Sequence, residues 1–344
     1  MKVGAAARWA ALVAVLLAVA LIRFDLRDPG PIRRLTAGAT ATRYGLPLDV
    51  AGYVRLTAYF RGEVPSDSLI PPFCYRPLVP LAASVLPWSP LTSIDLIDLA
   101  CLVLTLVALD RLLRHAGYET LGRTTGCLLF AVSFPTFYYG AIGFLDPVVV
   151  LTLAGMALAA LRGRRIAFAA WLVIGVLAKE TDAIMAALPG LWAWSRGEPL
   201  RSAVRVTAPF ALLAVAIAVA LRTALPFPEQ GWLWVPHARV LLENLARPRA
   251  VLSLLLTLGL PALLAAAALA TGRAARALGG PALRFFLAGA ALVSLLYAVS
   301  LFAAWADGRV IWGAHPFLIP IAVALVDPSG AARPAGRTPS RAAA

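Results

Sequence analysis

Residues 166–195 read IAFAAWLVIGVLAKETDAIMAALPGLWAWS, two apolar runs that meet at Lys179-Glu180. One helix of this length would place the arginines before residue 166 and those after residue 195 on opposite sides of a membrane, against the positive-inside rule. A break at Lys179-Glu180 returns both sets of arginines to one side. The stretch therefore predicts two short membrane helices joined by a charged turn.

The same apolar pattern extends over the whole chain of 344 residues. Hydrophobic residues make up 61% and charged residues 14%, against about 25% charged in soluble domains; the mean hydropathy is +0.82. These values exclude a soluble globular domain, a disordered chain and a secreted disulfide scaffold. They favour an all-α polytopic membrane protein, because helices satisfy their own backbone hydrogen bonds in lipid. The apolar blocks predict ten membrane helices, at 7–23, 95–113, 123–140, 147–161, 166–178, 182–195, 204–221, 250–271, 285–304 and 310–326.

The predicted organisation is a single integral membrane domain, 1–326, followed by a disordered cytoplasmic tail, 327–344, rich in Ala, Pro and Arg. A long outer loop, 24–76, follows the first helix, and 77–87 is expected to form a short helix on the outer surface. Several spans are shorter than the roughly 20 residues that lipid requires, so their outer ends should leave a hollow. Ala18-Val19-Ala20 also resembles a signal-peptidase site, which leaves removal of the first helix open.

The net charge of +14 comes from arginines spread over the loops. Nucleic acid is therefore excluded as a partner, since binding it needs a basic face.

The short arginine-bearing loops fall on one side together with both termini, which predicts a cytoplasmic N-terminus and C-terminus. An Ala-rich and Arg-rich composition with only two lysines is typical of a GC-rich bacterial genome, so we expect a bacterial inner (cytoplasmic) membrane. The cysteines and histidines share no ligand spacing, and no metal site is predicted.

Polar residues in the apolar blocks and the outer loop are the candidate functional groups. Asp49 and Tyr53 are four residues apart, so a helix would place them on one face; the alternative is that Asp49 caps the helix. Lys179 carries a compact charge that suits a phosphate, or else it pairs with Glu180 or Asp182.

Two further candidates lie at predicted helix starts. Asp146 precedes Pro147, which is an ordinary helix-start signal, so Asp146 has either a capping or an active role. Arg309 begins the last span, where it would hold a phosphate or anchor the membrane interface.

The order of these motifs resembles the GT-C superfamily, the membrane glycosyltransferases that use polyprenyl-phosphate sugars, in its protein-mannosyltransferase-like and aminoarabinose-transferase-like branches. The resemblance covers the acid of the first outer loop, the proline-rich run PPFCYRPL at 71–78, the turn AKET at 178–181 and an arginine before a proline-containing late helix. Asp49 is followed by Val50, where the protein O-mannosyltransferase branch has an adjacent Asp-Glu pair. The resemblance implies two catalytic acids and six substrate-binding residues, which are Asp49 and Asp146, and Tyr53, Arg76, Lys179, Glu180, Arg309 and His315.

The resemblance implies transfer of a sugar from a polyprenyl-phosphate donor, with inversion, to an envelope glycan, lipid or protein on the outer side. A loop carboxylate would be the general base. The donor would be a substrate, no cofactor is implied, and no divalent metal is indicated. Two alternatives stay open, a multi-pass transporter or lipid flippase and a non-catalytic membrane assembly protein. The last of these predicts that Asp49, Lys179 and Arg309 lie far apart.

Overall fold

The computed structural model describes residues 2–23, 47–225, 236–303 and 307–327. These residues form α-helices joined by turns and short 3-10 helices, which confirms the all-α class. The helices within the described ranges are α1 (Lys2–Ala20), α2 (Leu48–Phe60), α3 (Leu78–Ser84), α4 (Pro90–His115), α5 (Thr120–Ala131), α6 (Phe134–Tyr139), α7 (Asp146–Leu161), α8 (Arg165–Ala178), α9 (Leu188–Ser195), α10 (Leu200–Ala224), α11 (Ala238–Leu245), α12 (Pro248–Ala270), α13 (Arg273–Ala303), α14 (Arg309–Trp312) and α15 (His315–Val323). The predicted tail, apart from Asp327, and loop residues 24–46 lie outside these ranges.

Among the described helices, only α10, α12 and α13 are long and apolar enough to cross a membrane. The prediction of ten membrane-spanning helices is therefore wrong in number. Helix breaks account for part of the difference. The predicted span 123–140 divides into α5 and α6 before Pro135, and 310–326 divides into α14 and α15 at Gly313. The helix α4 is 26 residues long, but it carries Asp95, Asp98 and Asp110.

The predicted break inside 166–195 is confirmed. The helix α8 ends at Ala178, Lys179 has an extended backbone (φ −159°, ψ 117°), and a 3-10 helix, Glu180–Ala187, precedes α9. The predicted short helix at 77–87 also exists as α3. Its position on a membrane surface stays a prediction.

The centre of the bundle is α7, which is buried along almost its whole length. A helix that is apolar on every side belongs in a core, and α7 packs against α4, α8, α9 and α15. The helix α15 is buried as well and packs against α12 and α13. This packing brings the first residues of α7 and α14 to the same end of the bundle, where Asp146 and Arg309 meet.

A kink in α12 explains the position of His315. Gly259 has a φ of 41° there, and Pro261 has no N–H to donate to the carbonyl of Thr257, four residues earlier. The Nε2 atom of His315 lies 2.9 Å from that carbonyl oxygen. Because a carbonyl only accepts, the histidine donates, and it thereby fastens α15 to α12.

Candidate functional site

Four ionic side chains meet at one end of the bundle, and each comes from the end of a different element. Asp49 lies in the first turn of α2, Asp146 is the first residue of α7, Lys179 follows α8, and Arg309 is the first residue of α14. These residues are called the charged cluster below. Short helices with breaks between them are what allow four chain segments to end together.

Asp146 is the centre of the charged cluster. Its Oδ1 atom lies 2.9 Å from Lys179 Nζ, its Oδ2 atom lies 3.9 Å from Arg309 Nη1, and the residue is 4% exposed. The N-cap of α7 is Leu145, and no side chain caps the helix. The capping interpretation of Asp146 is therefore wrong. The alternative in which Lys179 pairs with Glu180 or Asp182 is also wrong, since Lys179 pairs with Asp146. Glu180 binds Arg76, and Asp182 accepts a hydrogen bond from Thr152.

Arg309 joins the two acids of the charged cluster. It forms an ion pair with Asp49 in addition to its contact with Asp146. Its guanidinium carbon lies 4.2 Å from the centroid of the Phe144 ring, a cation–π distance. The backbone N–H of Arg309 donates to Asp307 Oδ1 at 2.8 Å. A planar, always-charged guanidinium can contact both acids and lie over the ring at once, which an ammonium cannot.

The start of α14 is held close to α12 by a small network. The hydroxyl of Ser253 accepts a hydrogen bond from the N–H of Gly308 at 2.7 Å and lies 2.8 Å from the Tyr139 hydroxyl. A Cβ atom at Gly308 would lie 2.2 Å from the carbonyl oxygen of Ser253, so only glycine fits. This contact fixes Arg309. Sequence reasoning missed Ser253 and Tyr139, because neither residue forms part of a motif.

Asp49 is not the N-cap of α2, which is Pro47. Its Oδ1 atom accepts a hydrogen bond from the N–H of Val50 at 3.1 Å, and its carboxylate also pairs with Arg309. Tyr53 lies one turn further along α2 and is also buried. The spacing of four residues predicts one helix face for the two side chains, and each contacts an arginine, Arg309 for Asp49 and Arg76 for Tyr53.

A second ion pair lies beside the charged cluster. Arg76 binds Glu180 through two hydrogen bonds, of 2.7 and 2.8 Å, and its Nη1 atom donates to the Tyr53 hydroxyl at 2.6 Å. Burial lowers the pKa of Arg76, but Glu180 and Tyr53 raise it by more, so Arg76 stays charged. Burial raises the pKa of Tyr53 well above its usual value. Tyr53 is therefore a neutral hydrogen-bonding group, and the proton of its hydroxyl is available to a further acceptor.

Cys74 lies two residues before Arg76, and its thiol is poorly suited to act as a nucleophile. The residue is 1% exposed, and burial raises the pKa of its thiol to about 11. The thiolate, which is the reactive form, is therefore scarce at neutral pH.

A cavity of about 20 Å³ opens beside the charged cluster. Asp146, Lys179 and Arg309 lie along it, and much of the remaining wall is apolar, with Leu153 and Leu296 among its residues. A cavity of this size holds about one water molecule. Its charged and apolar surfaces together suit a ligand with an anionic head and an apolar body.

His315 forms its hydrogen bond with α12 and not with the charged cluster. It is fully buried, and its Nε2 atom contacts Thr257. Like Asp49, Tyr53, Arg76 and Glu180, it is not among the residues that line the cavity. Its implied role in substrate binding stays a prediction. Over the described ranges, no group of three or more His, Cys, Asp or Glu residues is arranged to hold a metal ion.

The chain matches no family model, and no curated protein or solved structure shows significant similarity to it. The fold and the site define a class only. The chain is an all-α protein with three candidate membrane spans among its described helices and a buried charged cluster where several helices end.

Proposed function

We propose that the chain is a GT-C-type membrane glycosyltransferase. It moves a sugar from a polyprenyl-phosphate donor to an acceptor on the outer side of a bacterial inner membrane. The observation that carries the proposal is the convergence of Lys179 and Arg309 on Asp146 beside a partly apolar cavity. A lipid phosphate has the two matching parts, an anionic head and an apolar chain.

The site is closed by its own ion pairs. Asp146 and Asp49 occupy the positions beside the cations that a phosphate would take. Because the cavity holds only about one water, the donor enters as these side chains separate. The phosphate then replaces carboxylate oxygens on Lys179 and Arg309, and Asp49 is released from its pair.

The released Asp49 is the proposed general base. It removes the proton from the acceptor hydroxyl as the oxygen attacks C1 of the sugar. The bond from C1 to the phosphate oxygen breaks on the opposite face, and its electron pair goes to the leaving lipid phosphate, so the configuration inverts. Lys179 and Arg309 stabilise the charge that develops on the phosphate. Asp146 is the second candidate for the base.

The arginine distribution supports an outward-facing site. From Asp146, α7 runs 16 residues to Leu161, a length of about 24 Å, and the arginine-rich turn 162–165 follows. Arg8 in α1 and Arg123 in the first turn of α5 both form ion pairs with Asp110, near the C-terminal end of α4. By the positive-inside rule, we propose that the turn 162–165 is cytoplasmic, that the charged cluster faces outward and that both termini are cytoplasmic.

The convergence also favours a site over a non-catalytic assembly protein, which predicts that Asp49, Lys179 and Arg309 lie apart. Burying ionised groups together is costly unless they are paired. A purely structural protein would gain as much from apolar side chains at these positions. A ligand-binding site requires the charges themselves.

The test compares Asp49→Asn with Asp67→Asn. Both changes remove a carboxylate from the predicted outer loop, but Asp67 is exposed and is not a member of the charged cluster. With equal expression and melting behaviour, sugar transfer should fall about 10²–10⁴-fold for Asp49→Asn and stay unchanged for Asp67→Asn. Near-normal turnover of Asp49→Asn would assign the base to Asp146. A wild-type protein that moves lipid phosphate across vesicles without sugar transfer would instead be a flippase.

A further inference from the structure

A patch of five exposed arginines lies at the opposite end of α7 from the charged cluster. Arg111 and Arg114 come from the last turns of α4, and Arg162, Arg164 and Arg165 come from the turn between α7 and α8. These five residues are called the arginine patch. Within the described ranges, none of them forms an ion pair with a carboxylate. Burial, together with the like charges of Arg164, Arg114 and Arg111, lowers the pKa of Arg162, which shows how closely the cations are grouped.

Helix dipoles do not account for the whole arginine patch. Cations at the C-terminal ends of α4 and α7 are favourable, because those helix ends are negative. Arg164 and Arg165, however, are the N-cap and first residue of α8, where the helix end is positive. Placing further cations there is unfavourable unless an anion is present.

An apolar surface begins next to the arginine patch. Ile166, Ala170 and Ile174 are exposed and are spaced four residues apart, so they form one stripe along α8. Ile166 is 89% exposed and directly follows Arg165. A stripe of exposed aliphatic side chains is costly in water and stable against acyl chains. If acyl chains cover this stripe, the arginine patch at its end lies at the level where acyl chains meet headgroups.

We infer that the arginine patch binds the phosphate headgroup of an anionic phospholipid, whose acyl chains lie along the stripe on α8. The site is separate from the charged cluster, since the 16 residues of α7 hold the two about 24 Å apart. It does not depend on the proposed enzyme activity. Phospholipid is favoured over a soluble anion, because a soluble anion leaves the apolar stripe uncovered.

The test titrates short-chain phosphatidylglycerol into the full-length protein in a neutral detergent and follows binding by thermal shift. Each arginine near an anionic membrane surface contributes about a fivefold gain in affinity. Arg162→Gln with Arg165→Gln should therefore weaken binding about 30-fold. The matched control is Arg239→Gln with Arg249→Gln, which removes the same charge from exposed positions on α11 and α12; it should change binding less than threefold.

Two further arms make the outcome decisive. Phosphatidylcholine and inorganic phosphate should each give no shift in the concentration range where phosphatidylglycerol does. An equal shift with either would overturn the inference, as would an equal loss in the control pair. Arg162→Lys with Arg165→Lys keeps the charge and should keep most of the binding. If the glutamine pair fails to fold, the lysine pair and the lipid comparison still decide.

Discussion

Lys179 Nζ lies 2.9 Å from Asp146 Oδ1, so the lysine after α8 neutralises the carboxylate that begins α7. Lys179 is one of only two lysines in the chain. The contact joins the ends of two neighbouring helices in the bundle core. Both partners are largely buried, which makes the pair sensitive to the removal of either member.

Lys179→Met should destabilise the protein by about 3 kcal/mol, because Asp146 then keeps only its longer contact with Arg309. Asp146→Leu alone should have a comparable cost. The double variant should be less destabilised than the sum of the two, since no buried charge then loses its partner within the pair. Chemical unfolding in detergent measures all three, and strictly additive effects would contradict the pairing.

Arg309→Lys should weaken binding of polyprenyl phosphate about 10-fold or more, although it conserves the charge. An ammonium cannot stack on Phe144 while contacting both Asp49 and Asp146. Binding of the lipid phosphate to the purified variant, compared with wild type, measures the effect. Arg247→Lys, outside the charged cluster, is the control. Unchanged affinity in Arg309→Lys would mean that Arg309 contributes only as a point charge.

His315→Leu should destabilise the fold by about 1–3 kcal/mol, because the carbonyl of Thr257 loses its donor in a buried place. Binding of polyprenyl phosphate to the folded fraction should be unchanged, since His315 does not line the cavity. Thermal unfolding and lipid binding on the same samples separate the two effects. Loss of binding with normal stability would return His315 to the site.

Thiol labelling tests the orientation of the chain. All three cysteines are buried, so a membrane-impermeant maleimide should leave the native protein unlabelled. In this background, Asp67→Cys should be labelled from outside intact cells, and Glu119→Cys only after the cells are opened. Both positions are exposed. Labelling of Glu119→Cys in intact cells would reverse the proposed topology.

The helical class and the break at Lys179-Glu180 could be predicted, because apolar block lengths and arginine positions constrain them directly. The number of membrane spans could not. Hydropathy averages over a window, and it does not register the local breaks at Pro135 and Gly313 that divide apolar blocks into short helices.

The members of the charged cluster were predictable as residues, since ionisable groups within apolar sequence are rare and costly. Their pairing was not predictable. Lys179 pairs with Asp146, 33 residues earlier in the chain, and not with its neighbours Glu180 and Asp182, because the packing of α7 against α8 brings the two residues together. The contact of His315 with Thr257 was not predictable either, because the sequence does not show that the kink in α12 leaves the Thr257 carbonyl without its helical donor.

The charges of the cluster have a consequence for the stoichiometry of binding. Asp49 and Asp146 balance Lys179 and Arg309, and Arg76 balances Glu180 in the adjacent pair. Asp307 is a further acid, 3.6 Å from Arg309 Nε. An entering phosphate therefore adds negative charge that no side chain there offsets, and an uncompensated buried charge is strongly disfavoured. Occupation of the site should thus be accompanied by uptake of a proton at a group other than the proposed base Asp49, and affinity for the lipid phosphate, measured over a pH series, should fall as the pH rises.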